Sequence, residues 1–207
     1  MVPIVLITGF STAGKSTFLR EFSTDINCID TDRKVADHFQ CEHIYEVYMH
    51  HGYEKAIKLI EQQENELLNW LIINQDRPTL IAAGPILMLR DNWQRFNEAR
   101  KPFIIHLSLT AKQAYEGLLY RKTEQKQKLN QDNPNFGSWD KDVTTTLENG
   151  RYIDLPPEIA IAKIEGHLIG VTRKYKEHCH HEYDARALQS NPDLKQEMIE
   201  LIKSRLH

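Results

Sequence analysis

Residues 9–16 read Gly-Phe-Ser-Thr-Ala-Gly-Lys-Ser, a complete G-x-x-x-x-G-K-[ST] pattern set between an apolar run, Val2 to Ile7, and a segment that reads as helix, Ser16 to Phe22. Few features narrow the choice of fold further, because such a loop binds phosphate only where a buried strand delivers the chain to a helix start. Ile4, Val5, Leu6 and Ile7 are continuously apolar, as expected of a strand covered on both faces. Pro3 sits near the strand's beginning, where a missing amide is tolerated. Gly9 and Gly14 then permit a close approach and backbone angles that a side chain would block. Successive loop amides and the helix N-terminus face an anion with partial positive charge. The candidate nucleotide-binding residues are therefore Gly9, Ser11, Thr12, Ala13, Gly14, Lys15, Ser16 and Thr17. Lys15 is expected to reach the β and γ phosphates, and the Ser16 hydroxyl to ligate Mg2+ between them.

The rest of the chain alternates strands and helices. Ile26 to Ile29 reads as a short strand ending at Asp30, with Thr31 capping a helix to about Phe39. Ile44 to His51 and Tyr53 to about Gln75 read as helices broken at Gly52. Thr79 to Ala83 is a third buried strand closed by Gly84-Pro85, and Asp91 to about Arg100 a short helix. Phe103 to Leu109 is a fourth strand, after which Thr110 caps a helix to about Leu129. This order predicts an α/β fold, a three-layer parallel sheet with helices on both faces and right-handed crossovers. The segment from about 125 to 152 is expected to include a loop or lid. Beyond it, about 156–207 is expected to form a helical extension, one helix running from Pro156-Pro157 through Cys179 and another from Pro192 to Leu206 capped by Asn191.

A phosphate loop alone leaves switches, motors and small-molecule kinases open, so the position of an acidic magnesium partner decides between them. The third and fourth strands end in Gly84 and Thr110 without an acid, and no N-K-x-D segment is present. The acids close the second strand instead, as Asp30-Thr31-Asp32. Residues just past a strand's carboxyl end face the crevice where ligands sit in such sheets, and a carboxylate there can orient a hydroxyl and accept its proton. Helix capping is the competing role for both acids.

The loop G-F-S-T-A-G-K-S-T followed by I-D-T-D resembles the shikimate kinase family of small P-loop phosphotransferases, over roughly residues 2 to 128. The resemblance implies ATP and Mg2+, with Asp30 helping to hold the metal through water and Asp32 binding the acceptor hydroxyl. Catalytic roles then fall to Lys15 and Asp32, and metal-holding roles to Ser16 and Asp30. It also implies that Arg121, in the Leu118-Leu119-Tyr120-Arg121-Lys122 stretch, lies over the adenine ring; a solvated helix-end arginine is the alternative. The family's lid Arg-Pro pair has no counterpart here, where Lys126 and Lys128 stand. Its carboxylate-clamping arginine has none either, Ile57 lying near that place, and its Gly-Gly-Gly turn is replaced by Ala83-Gly84-Pro85. Shikimate is thus not the expected acceptor. Gly84, Asp32 and Arg151 are the acceptor-site candidates, and Lys55, Lys58, Tyr45, Tyr48 and His51 lie on the segment expected to cover it.

A chain of 207 residues with a net charge of −3 suits a single domain over 1–207 and carries no basic excess for nucleic acid. Three cysteines without framework spacing, no leader and no membrane-length apolar run point to a cytoplasmic protein off the membrane. His178, Cys179, His180 and His181 are the densest set of potential metal ligands, with His178 and His181 on one face if helical, although a helix-end role is favoured. His106 is expected in the core, and Trp139 in the lid. The expected activity is transfer of the γ phosphate of ATP to a hydroxyl on a small molecule, with oligomeric state left open. The alternatives are a kinase for a nucleotide, nucleoside sugar or antibiotic, or an ATP-binding regulator whose C-terminal helices bind a partner.

Overall fold

The central strand β1 (Ile4–Gly9) is buried along all six residues, and a computed structural model shows why a continuous apolar run was required there. The structure describes residues 2–22, 26–129, 144–148 and 151–207. Alternate side chains of a strand point to opposite faces. Val5 and Ile7 enter one core, with Phe18 and Leu19 of α1 (Lys15–Leu19), while Ile4 and Leu6 enter the other, with Leu68 and Leu71 of α4 (Tyr53–Asn74). With both faces covered, Ile4 to Ile7 are apolar on either side, and Thr8 is the one buried polar side chain of the strand.

β1 pairs in parallel with β3 (Thr79–Ala83) on one side and β4 (Phe103–Ser108) on the other, with Val5 opposite both Leu80 and Phe103. β2 (Asn27–Asp30) adds to β3, leading directly into α2 (Thr31–His38). α3 (Ile44–His51) and α4 then close a small satellite core with α2, formed by Val35, Ala36, Cys41, Val47, Ala56 and Ile60. A 3-10 turn (Pro85–Leu89) and α5 (Trp93–Arg100) follow β3 and bury Leu87, Trp93 and Phe96 beneath α4. α6 (Ala111–Leu129) follows β4, and its Ala114 and Leu118 meet Phe10 and, from α7 (Pro157–Lys176), Ile164.

Two readings of the C-terminal third are corrected. The helix expected through Cys179 ends at Lys176, and His181–Asp184 forms a strand, β7, parallel to β4 at the edge of the sheet. The order is β2-β3-β1-β4-β7, all parallel once β5 (Thr145–Glu148) and β6 (Arg151–Asp154) are set apart as a separate antiparallel hairpin. β7 escaped detection because it is an edge strand with only Tyr183 buried, so it carries no apolar run. The hairpin likewise falls partly within a stretch that reads as loop. His178 and His181 therefore do not share a helix face. His180 instead ties the strand on, its Nδ1 accepting from the Ile104 amide at 3.0 Å, and no cluster of three metal-ligating side chains occurs among the described residues.

The tail is part of the sheet's cover. After β7, α8 (Ala185–Ser190) and α9 (Pro192–Leu206) bring Leu188, Met198, Ile202 and Leu206 onto the face that carries Val5 and Ile7. Asp184 caps α8 by accepting from the Arg186 and Ala187 amides at 2.8 Å, and Asn191 caps α9 as its sequence position indicated. Among the described residues no helix is long and apolar enough to cross a membrane. Lid residues 130–143, Trp139 among them, and 149–150 lie outside the described residues.

Candidate functional site

The site is built where β1 ends. Gly9 adopts φ +152°, and a Cβ there would stand 2.5 Å from the Leu107 carbonyl oxygen of β4, so the strand pair leaves room for hydrogen alone. Gly14, at φ +83°, is the N-cap of α1 in the left-handed region and turns the loop into the helix. Between them the chain folds back on itself, the Ala13 amide donating to the Phe10 carbonyl at 3.0 Å. Lys15 is buried beneath this loop, its Nζ donating to the carbonyls of Gly9 at 2.7 Å and Phe10 at 3.0 Å. Ser16 and Thr17 occupy the exposed side of the first helical turn. The Ser11 Oγ and Thr12 Oγ1 atoms are buried without a hydrogen-bond partner, the Thr12 side chain lying against Gly117 of α6.

Four positions of α6, on the i, i+3, i+4, i+7 face expected of a packed helix, hold the loop. Ala114 and Leu118 pack on Phe10. Gly117 lies so close that a Cβ would meet Thr12 Cβ at 2.6 Å, and Arg121 Nη2 donates to the Ser11 carbonyl at 2.8 Å. Gly117 was not foreseen from the chain. A small residue one turn before an arginine on an otherwise amphipathic helix is the signal that was present. α8 approaches from the other side, where Gln189 Nε2 would lie 3.3 Å from a Cβ on Gly14. Arg186 holds that glutamine with Nη1 at 3.0 Å and bonds the Gln113 carbonyl of α6 with Nη2 at 3.3 Å.

The acids of β2 meet this lysine. Asp30, rather than Thr31, is the N-cap of α2, its Oδ1 accepting from the amides of Asp32 at 3.1 Å and Arg33 at 3.3 Å. Thr31 is the first helical residue, and the correction follows from Asp30 keeping strand-like angles while its carboxylate reaches over the first turn. Asp32, one residue into the helix, is half-buried and projects its charge toward the loop. Burial lifts its carboxyl above the usual range, and Asp30 adds to that rise, while Lys15 and Arg121 pull it down. Lys15 is pushed down to about 8, chiefly by burial and further by Arg121, against the opposing pull of Asp32 and Asp30. Four charges from three separate segments thus act on one point.

Gly84 borders Asp32, since a Cβ on it would lie 3.7 Å from Asp32 Oδ1. Arg151 belongs to β6, opposite Glu148, and its side chain lies outside the described residues, as do those of Tyr45, Lys126 and Lys128. Lys55 and Lys58 are exposed on α4, whereas Tyr48 and His51 are half-buried, His51 meeting the ring of Phe39 edge-on at 5.9 Å. His106 is buried in β4. An ion pair that the chain did not advertise stands nearby: Arg90, just past the 3-10 turn, bonds Glu64 of α4 through Nε and lies 3.5 Å from Glu61 Oε1 through Nη1.

No protein-family model matches the chain, and no curated protein matches it. Solved structures do. A shikimate kinase from Acinetobacter baumannii in complex with shikimate aligns with a TM-score of 0.59 at 18% identity, over 99% of this chain and 94% of that one. Shikimate kinases from Bacteroides thetaiotaomicron and Aquifex aeolicus align with TM-scores of 0.57 and 0.52, both at 14% identity, over 96% and 97% of this chain and 98% and 96% of theirs. At such identities the likeness speaks for the fold, and the five-stranded parallel sheet with its loop between β1 and α1 agrees with it. The chain has the shikimate kinase-like P-loop fold.

Proposed function

We propose that this chain is a P-loop phosphotransferase that moves the γ-phosphoryl group of ATP to a hydroxyl of a small molecule. The observation that carries the reading is that Lys15 and Arg121 are both bonded to carbonyls of the loop and both act electrostatically on Asp32, while Asp32 and Asp30 act on Lys15. An ATP-binding regulator has no need of a half-buried carboxylate beside the loop lysine; a kinase does.

The donor set suits both the nucleotide and its metal. A triphosphate would replace the Gly9 and Phe10 carbonyls as the partner of Lys15 and take the loop amides. Ser16, exposed at the helix start, and Asp30, at the end of β2, carry the hard oxygen donors that would hold magnesium. Held by these oxygens, magnesium would supply positive charge against the oxygens of the transferred phosphate. Arg121, anchored to the loop at Ser11, supplies a flat cation on the nucleotide side.

Asp32 holds the acceptor hydroxyl in line with the γ phosphorus. The hydroxyl oxygen bonds to phosphorus as the bond to the β-γ bridging oxygen breaks, ADP leaves with that electron pair, and the hydroxyl proton passes to Asp32. The rise that burial gives the Asp32 carboxyl brings it nearer the range in which a carboxylate accepts a proton efficiently. Acceptor-dependent ADP release over a panel of hydroxylated metabolites, alongside calorimetry with ATP and MgCl2, tests the reading. Saturable nucleotide binding with acceptor-dependent release is expected, and binding without turnover for every hydroxylated compound would return the chain to the regulator class.

A further inference from the structure

A carboxylate-bearing acceptor needs a cation that is free to grip it, ideally a guanidinium presenting two parallel donors. Among the described residues, the cations that act on Asp32, Lys15 and Arg121, both come from the loop side. On the side of Gly84 the guanidinium nearest in the chain is Arg90. The 3-10 turn joins the two, the Leu87 amide donating to the Gly84 carbonyl at 3.3 Å and the Arg90 amide to the Leu87 carbonyl at 3.1 Å. One end of this short segment therefore borders Asp32 and the other carries the arginine.

Arg90 is not free. Its side chain is 10% exposed and Glu64's 5%, with the two in direct contact and Glu61 at 3.5 Å on a second guanidinium nitrogen. Two carboxylates thus share one guanidinium, and Asp32 is a further acid next to Gly84. Burial raises the Glu64 carboxyl to about 7; Arg90 opposes that rise, while Asp32 and Glu61 add to it. The pair is not needed as a fastener. Asn65, the next residue on α4, already bonds the Asn92 amide at 3.1 Å and accepts from its side chain at 3.2 Å, and Leu87 and Met88 anchor the turn in the core.

Resting on the phosphotransfer reading above, we propose that the Glu64–Arg90 pair sets the charge of the acceptor. With the guanidinium committed to Glu64, the crevice beside Asp32 takes an uncharged or cationic polyol, whose hydroxyl or ammonium donors suit acidic walls, and rejects one bearing a carboxylate. Glu64 is in this sense a specificity-determining residue acting through Arg90, and it rejects by leaving an anion without a partner rather than by a clash.

Glucose, glucosamine and glucuronate share one ring and differ in charge, which makes them suitable probes. With ATP and MgCl2, ADP release should show kcat/KM for glucose or glucosamine above that for glucuronate by about tenfold or more. Glu64→Gln frees Arg90 and should move the glucuronate-to-glucose ratio upward by about tenfold, whereas a purely structural loss lowers all three alike. Glu61→Gln, on the more exposed acid, should shift the same ratio in the same direction by less, and serves if Glu64→Gln does not fold. A parent preference for glucuronate, a proportional fall for all three rings in Glu64→Gln, or no turnover of any ring while MgATP still binds each overturns the proposal. Failure of the parent chain to bind MgATP sinks instead the nucleotide reading beneath it.

Discussion

The loop side of the crevice is made of neighbours in sequence, whereas the side beyond Asp32 is assembled from β2, the turn after β3 and the middle of α4. On the loop side Gly9, Gly14 and Lys15 lie within seven residues of chain, and local backbone geometry puts the ammonium under the loop carbonyls. Beyond Asp32, Gly84, Arg90 and Glu64 meet only because the parallel sheet and its covering helices bring them together. The first kind of site is rigid and general, suited to a phosphate group that many proteins bind. The second is free to vary residue by residue without disturbing the first, which is where specificity is expected to reside.

Substitutions on the two sides should separate binding from transfer. The largest effect is expected from Lys15→Ala, which removes the buried cation and should weaken ATP by about 10³-fold in calorimetry. ATP affinity surviving that change would show that the anion does not sit at the loop. Asp32→Asn should lower phosphoryl transfer by about 10²-fold in a coupled ADP assay while ATP affinity stays within about twofold. Equal losses in both quantities would mean that the two sides are one.

A pH series sharpens the same division. Burial holds Lys15 down at about 8, and a triphosphate favours its charged form. ATP affinity should therefore be flat below that pH and, as the ammonium is lost with rising pH, fall by up to about tenfold per unit above it. An affinity that does not change between pH 7 and pH 10 would contradict it. The smallest effect is expected from Gly117→Ala. Its new methyl would stand 2.6 Å from Thr12 Cβ and displace the loop from α6, so ATP affinity should drop several-fold, about 1 kcal/mol, while the melting temperature changes little. An unchanged affinity would show that the loop does not rely on α6.

How far the chain could be read without coordinates follows from the same contrast. β1, β3 and β4 are legible because each is buried on both faces and reads as a mostly apolar run. β7 was not, since a single inward residue, Tyr183, leaves no pattern to read. Asp30 and Asp32 were identifiable by their place after a strand, though which of Asp30 and Thr31 caps α2 depended on backbone angles. Glu64 sits among α4 residues at helical spacing and Arg90 in a turn, and neither position signals the other. Arg121 was singled out by resemblance, yet the hydrogen bond it makes to Ser11 and the packing of Gly117 on Thr12 depend on how α6 crosses the loop.

The amino-acid order by itself determined that a phosphate-type loop lies between a buried strand and a helix, and that a parallel α/β sheet surrounds it. Those properties depend on residues adjacent in the chain, where hydrophobic periodicity and backbone freedom act locally. Tertiary structure alone decided that the C-terminal segment completes the sheet, that α6 and α8 brace the loop, and that Arg90 is claimed by Glu64. These outcomes rest on burial and on charges meeting across distant segments, and a buried charge acquires its partner only when the fold closes around it.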